Sequence, residues 1–104
     1  MSATKPIPKK LREEMAGDPF YRVCCIANGE CYGRIQWHHH LRYAGERQNV
    51  RFAILPVCEY HHEKEARLDI KHRLDTVMLL RATPEDLAKY PKRDWFHLKK
   101  SLGL

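Results

Sequence analysis

The chain has 104 residues, of which 43% are hydrophobic and 31% charged, ordinary values for one small globular domain with a modest core. Net charge is +6 and the pI is about 9.3, a balance that suits a polyanion, with nucleic acid the first candidate. No stretch approaches the ~20 apolar residues of a membrane span.

Residues 1–10 hold two prolines and three lysines and read as a loose arm. "LREEMAG" follows as a short helical turn ended by Gly17, giving a basic N-terminal arm over 1–17 and a single domain over 18–104. The opening lacks the apolar core of a secretory signal, so the expected location is the cytoplasm, where thiols stay reduced. "YRVCCIANGECYG" reads as a short strand and a turn, with Asn28-Gly29 at the bend, and "RIQWHH" alternates like a second strand. "LRYAGERQN" is a polar loop around Gly45, and "VRFAILPV" is the clearest strand of the chain.

From Cys58 onward the period changes. Ile70, Leu74 and Val77 lie at helical spacing, predicting one helix from about His61 to about Leu80. In "RATPEDLAKYP", Thr83 is an N-cap, Pro84 the first helical residue and Pro91 a stop. A last helix starts at Asp94 and ends at Gly103. Its Trp95 and Phe96 read as core. The order is strand, loop, strand, helix, then helical decoration, an α+β fold.

Four cysteines in a reducing compartment point to a metal rather than to two disulfides. Cys25-x5-Cys31, or Cys24-x6-Cys31, followed by Cys58-x2-His61 offers two ligand pairs on turns, the usual way a small domain closes a tetrahedral zinc site. Adjacent Cys24 and Cys25 point different ways, so at most one of them is a ligand. Five of the seven histidines lie in "WHHHL" and "CEYHH", and zinc would use one. His38, His39 and His62 remain, at a strand end and a helix start that can face each other across a hairpin. A neutral imidazole there can deprotonate water while its neighbours hold a divalent ion against a scissile phosphate.

The residues "GRIQWHHHLRYAG…FAILPVCEYHHEK" resemble the HNH endonucleases with a ββα-metal core, especially the small zinc-stapled forms of phages and prophages. The resemblance covers about residues 22–66. It implies a structural Zn²⁺ held by Cys25 (or Cys24), Cys31, Cys58 and His61, and a catalytic ion, Mg²⁺ or else Mn²⁺ or Ni²⁺, held by His38 and His62. His39 would be the general base, with Trp37 setting the frame and His40 flanking. The implied activity is metal-dependent DNA hydrolysis leaving a 5′-phosphate and a 3′-hydroxyl. The middle Asn of the family pattern falls on Ala53, and Asn49 lies too far upstream to replace it without a register change.

Candidate phosphate contacts are Arg34, Arg42, Arg47, Arg51, Lys64 and Arg67, with Lys99 and Lys100 extending the track. DNA is the expected partner, with a phage or host recombination or packaging protein as a further one. The alternative function is a non-catalytic zinc-stapled DNA-binding or recombination-accessory module.

Overall fold

The computed structural model describes residues 6–104; residues 1–5 of the expected arm lie outside the described residues. Helix α1 (Lys9–Ala16) starts after Pro8 and ends on Gly17. Its Met15 is fully buried against Tyr21 and Ile54, with Ile7, Leu11 and Trp37 packed around them. The segment read as an arm is therefore anchored from Ile7 onward.

The strand expected in "YRVCCIANGECYG" does not form. Asp18 instead caps a 3₁₀ turn, Pro19–Arg22, by accepting from the Phe20 N–H at 3.0 Å. The chain then runs in bends to a turn where the Asn28 side chain accepts from the Glu30 N–H. The Cys25 N–H donates to the Pro56 carbonyl at 2.8 Å. Next comes Gly33 at φ +83°, where a Cβ would lie 2.7 Å from the Glu59 side chain, so both the conformation and the space call for glycine.

Strand β1 (Gln36–His39) leads into a small ribbon, β2 (Arg42–Tyr43) and β3 (Glu46–Arg47). Sequence reads this segment as a loop. Ala44 and Gly45 both take positive φ, 53° and 81°, which is the backbone of a type I′ hairpin turn. A 3₁₀ turn, Arg51–Ala53, then delivers β4 (Ile54–Val57) antiparallel to β1, with His38 opposite Leu55 and His39 opposite Ile54. The pairing continues one step further, where the His40 N–H donates to the Ala53 carbonyl. All four β4 residues are buried because both faces are covered: Leu55 and Val57 join the main core, and Ile54 joins Met15 and Tyr21.

The long helix predicted from His61 is two helices, α2 (Glu59–Glu63) and α3 (Leu68–Arg81). Geometry explains the break. At about 100° per residue, His61 and Ile70 would lie about 180° apart on a continuous helix, yet both are buried. Turning the chain between 64 and 67 lets His61 face the cysteines while Ile70, Leu74 and Met78 enter the main core with Leu41, Phe52 and Leu55. Each such fully buried side chain contributes roughly 1.5–3 kcal/mol.

Helix α4 (Pro84–Ala88) has the expected cap, strengthened by a reciprocal bond from the Thr83 N–H to Asp86. Helix α5 (Trp95–Ser101) is capped by Asp94. Trp95 packs on the core and its indole N–H reaches the Leu87 and Tyr90 carbonyls. Phe96, read as core, is 79% exposed, since it sits on the outward side of a helix that covers the core with one face. No helix of the described residues is long and apolar enough to cross a membrane.

Candidate active site and metal centre

Two ligand clusters flank the β1–β4 pair and α2. In the first, Cys24, Cys31, Cys58 and His61 converge. The Nδ1 of His61 lies 3.4 Å from the Cys24 sulfur, 3.5 Å from that of Cys31 and 3.2 Å from that of Cys58. Sulfur and nitrogen ligands on a tetrahedral zinc stand about 3.6 Å apart, so this group can hold a metal ion. His61 is completely buried and its Nε2 has no hydrogen-bond partner among the described residues. A ring so placed gains its polar interaction through Nδ1 alone.

Cys25 takes no part. Its backbone is bound to Pro56, which turns the neighbouring Cys24 side chain to the ligand group and the Cys25 thiol to the other side, toward Ile26, His72 and Val77. Burial pushes the Cys25 thiol up to about 12, so it stays protonated. Cys58 goes the other way. Burial alone would raise it, but the backbone N–H groups of His61 and Tyr32 and the neighbouring Cys31 and Cys24 thiols hold it below the ordinary thiol value. The group that could hold a metal is thus Cys24, Cys31, Cys58 and His61, with Cys24 rather than Cys25 in it.

The second cluster gathers His38, His62 and Glu65, whose ligand atoms lie within 4.8 Å of one another. Glu65 Oε2 is 3.0 Å from His38 Nδ1 and 3.4 Å from His62 Nε2. That oxygen is buried, yet accepts no hydrogen bond among the described residues. A buried carboxylate oxygen crowded by two imidazole nitrogens without a hydrogen bond is costly. A shared cation relieves it: neighbouring ligands on an octahedral ion with bonds of about 2.1 Å stand about 3.0 Å apart. The donor set therefore fits a divalent ion. Glu65 escapes the sequence reading, although its i+3 spacing from His62 is the available signal.

His39 points to the other side of β1, as strand alternation requires. Its Nε2 is 2.7 Å from Asn49 Oδ1. The Asn49 amide nitrogen donates to the Pro6 carbonyl at 3.1 Å, which fixes the amide so that its oxygen faces the histidine. An oxygen there can only accept, so His39 carries a proton on Nε2, and in the neutral ring Nδ1 is the basic nitrogen. Asn49 is thus within reach after all. The β2–β3 ribbon folds the intervening chain back, a path a loop reading does not contain, while Ala53 is buried in the core.

A cleft of about 390 Å³ is lined by residues His38, His39 and His40 together with Glu65, Arg42, Lys71 and Arg93, while the His39 ring itself reaches Asn49 on the other side of the strand. His38 is held far below the usual imidazole value, at about 3, first by burial and then by the charges of His40, His62, His39 and Arg47 around it. His40, read as a flanking residue, is buried against Asp75 at 2.6 Å.

Of the six basic residues singled out in the sequence, Arg42 lines this cleft and Arg47 lies directly across the ribbon from it. Two like charges opposed on a ribbon repel unless an anion joins them. Arg51 is instead tied to Asp18 at 2.6 Å and Arg67 to Asp69 through two bonds, while Lys64 lies over the Tyr60 ring. Arg34 is exposed and does not line the cleft. Lys71 and Arg93 escape a reading by sequence neighbourhood because they arrive from α3 and from the loop before α5. No known protein family, curated protein or solved structure matches this chain.

Proposed function

We propose that this protein is a metal-dependent endonuclease of the ββα-metal type, acting on DNA, with a structural zinc. The observation that carries the reading is the pairing on neighbouring residues of β1 of His39, braced through Nε2 by Asn49, with His38 of the His38–His62–Glu65 ligand group, beside a cleft lined by His38, His39, Arg42, Lys71 and Arg93. The β1–β4 pair followed at once by α2 has the element order that such a core requires.

The chain's own residues divide the work. Arg42 and Arg93 draw a phosphodiester into the cleft and offset its charge, beside Lys71, which also pairs with Asp75. His39 Nδ1 takes a proton from a water lined up with phosphorus, the new P–O bond forms, the bond to the 3′ oxygen breaks, and that oxygen takes a proton from solvent water. Asn49 keeps the imidazole in the tautomer that can accept that proton and supports the imidazolium that results. A divalent ion at His38, His62 and Glu65 would supply positive charge to the scissile phosphate and the departing 3′ oxygen. Two imidazoles and one carboxylate suit Mn²⁺ or Ni²⁺ more than Mg²⁺. A Zn²⁺ at Cys24, Cys31, Cys58 and His61 would hold the segment before β1 to the start of α2 and contribute folding free energy directly.

The test is supercoiled plasmid incubated with pure protein in Mn²⁺, Mg²⁺ or EDTA, beside His39→Ala. Metal-dependent nicking that the substitution abolishes supports the enzyme. DNA binding without cleavage in any metal would replace it with a zinc-stapled binding or recombination-accessory module.

A further inference from the structure

We propose that Asp75 and His40 are a positioning pair that sets the tautomer of His38 and thereby presents its Nδ1 lone pair to a divalent cation. The inference rests on the ion-site reading above and extends it to two residues which that reading leaves unused.

Asp75 lies on the buried face of α3, between Leu74 and Met78 in the core, and its side chain is 4% exposed. An isolated carboxylate there would be strongly disfavoured, so its partners matter. They are Lys71, at 3.4 Å from Oδ2, and His40, whose Nε2 is 2.6 Å from Oδ1. A carboxylate only accepts, so His40 carries a proton on Nε2. The other nitrogen of His40, Nδ1, is 3.1 Å from His38 Nε2, and one proton must lie between them.

Two arrangements are possible, and Glu65 separates them. If His40 donated from Nδ1, a neutral His38 would carry its own proton on Nδ1, facing Glu65 Oε2 at 3.0 Å. That oxygen accepts no hydrogen bond from any described residue. His38 instead donates from Nε2 to His40, and its Nδ1 is a bare lone pair at the atom that lies within 4.8 Å of the His62 and Glu65 ligand atoms. The order runs Asp75 to His40 to His38, each acceptor dictating the proton position of the next ring. It is the arrangement by which a carboxylate behind a histidine orients that ligand for a metal, lengthened by one imidazole. His38 and His40 can share one proton because they are two apart on β1 and so face the same side, with rings 5.2 Å apart.

The experiment uses the full zinc-loaded chain. Long-range ¹H–¹⁵N correlation of the imidazoles, without added divalent ion, reads the tautomers of His38 and His40. Calorimetric titration with Mn²⁺ reads the site in wild type, Asp75→Asn and His40→Gln. Wild type should show both rings protonated on Nε2. Asp75→Asn places an amide donor against His40, so the His38 proton should move to Nδ1, and Mn²⁺ affinity should fall about 10–100-fold with zinc content unchanged. A wild-type His38 protonated on Nδ1 overturns the proposal, and so does Mn²⁺ affinity unaltered by either substitution. If neither variant folds, the wild-type tautomers decide. If wild type binds no Mn²⁺, the ion-site reading falls, and a His38 proton on Nδ1 or on Nε2 still refutes or upholds the relay.

Discussion

The Nε2–H of His39 donates to the side-chain oxygen of Asn49 over 2.7 Å, with the β2–β3 ribbon bridging the ten positions between them. The Asn49 oxygen faces His39 because its amide nitrogen is held by the Pro6 carbonyl. A backbone carbonyl just ahead of α1 thus sets the proton position on the proposed base.

Asn49→Ala should therefore lower the plasmid-nicking rate constant by about 10–100-fold with little change in KM, since the ring keeps its place on β1 but loses its tautomer preference. Asn49→Asp retains an acceptor and should lose less. His39→Ala should cost the full 10²–10⁴-fold, roughly, of a general base. Equal rates in Asn49→Ala and wild type would remove Asn49 from the chemistry.

Cys24 and Cys25 are adjacent in sequence and opposite in role. Cys24→Ser should lose bound zinc, measured by elemental mass spectrometry, and melt at least about 10 °C lower. Cys25→Ser should keep its zinc and move the melting temperature by no more than about 5 °C, as expected for a change of ~1 kcal/mol. The reverse pattern would return the ligand to Cys25.

The basic cleft should show itself in the salt dependence of DNA binding. Removing one phosphate contact lowers the slope of log K against log salt by about 1. Arg42→Ala and Arg93→Ala should each do so. Arg51→Ala should leave the slope unchanged and cost a little stability, because its guanidinium is tied to Asp18. A slope that responds to Arg51 and ignores Arg42 would place the nucleic acid elsewhere.

His38 gives the fold an acid sensitivity whose sign is set by its depressed pKa. The free imidazole titrates near 6.5, whereas in the fold it titrates at about 3 because burial and the neighbouring His40, His62, His39 and Arg47 oppose the charged form. The Glu65 carboxylate pulls the other way and is outweighed. Between pH 6.5 and 3 the unfolded chain binds a proton that the folded chain refuses. Stability is then fully present above 6.5 and falls on acidification, by on the order of 1 kcal/mol per pH unit. Melting curves at pH 7, 6 and 5 without added divalent ion should show this decline, and His38→Gln should flatten it. An identical decline in the variant would assign the effect to other groups.

Features set by neighbours along the chain are legible in the sequence itself. Thr83, Asp94 and the start of β1 are local, and so is the Cys58-x2-His61 spacing, because a cap or a turn is decided within four residues. The clustering of imidazoles marks the site for the same reason. The break between α2 and α3 is hidden, since no glycine or proline announces it. It exists because His61 and Ile70 must be buried on opposite sides of the chain.

What composition and spacing determine by themselves is a small basic α+β chain with soft ligands in two pairs and imidazoles at one strand end. Tertiary structure alone decides which of two adjacent cysteines joins the metal group, that Asn49 braces His39, that Glu65 completes the second cluster, and that Asp75 stands behind His40. Each of these is a choice between side chains of similar local standing. Contacts across ten to thirty-seven positions settle it, and such contacts follow from where the ribbon, β4 and α3 pack rather than from any local period.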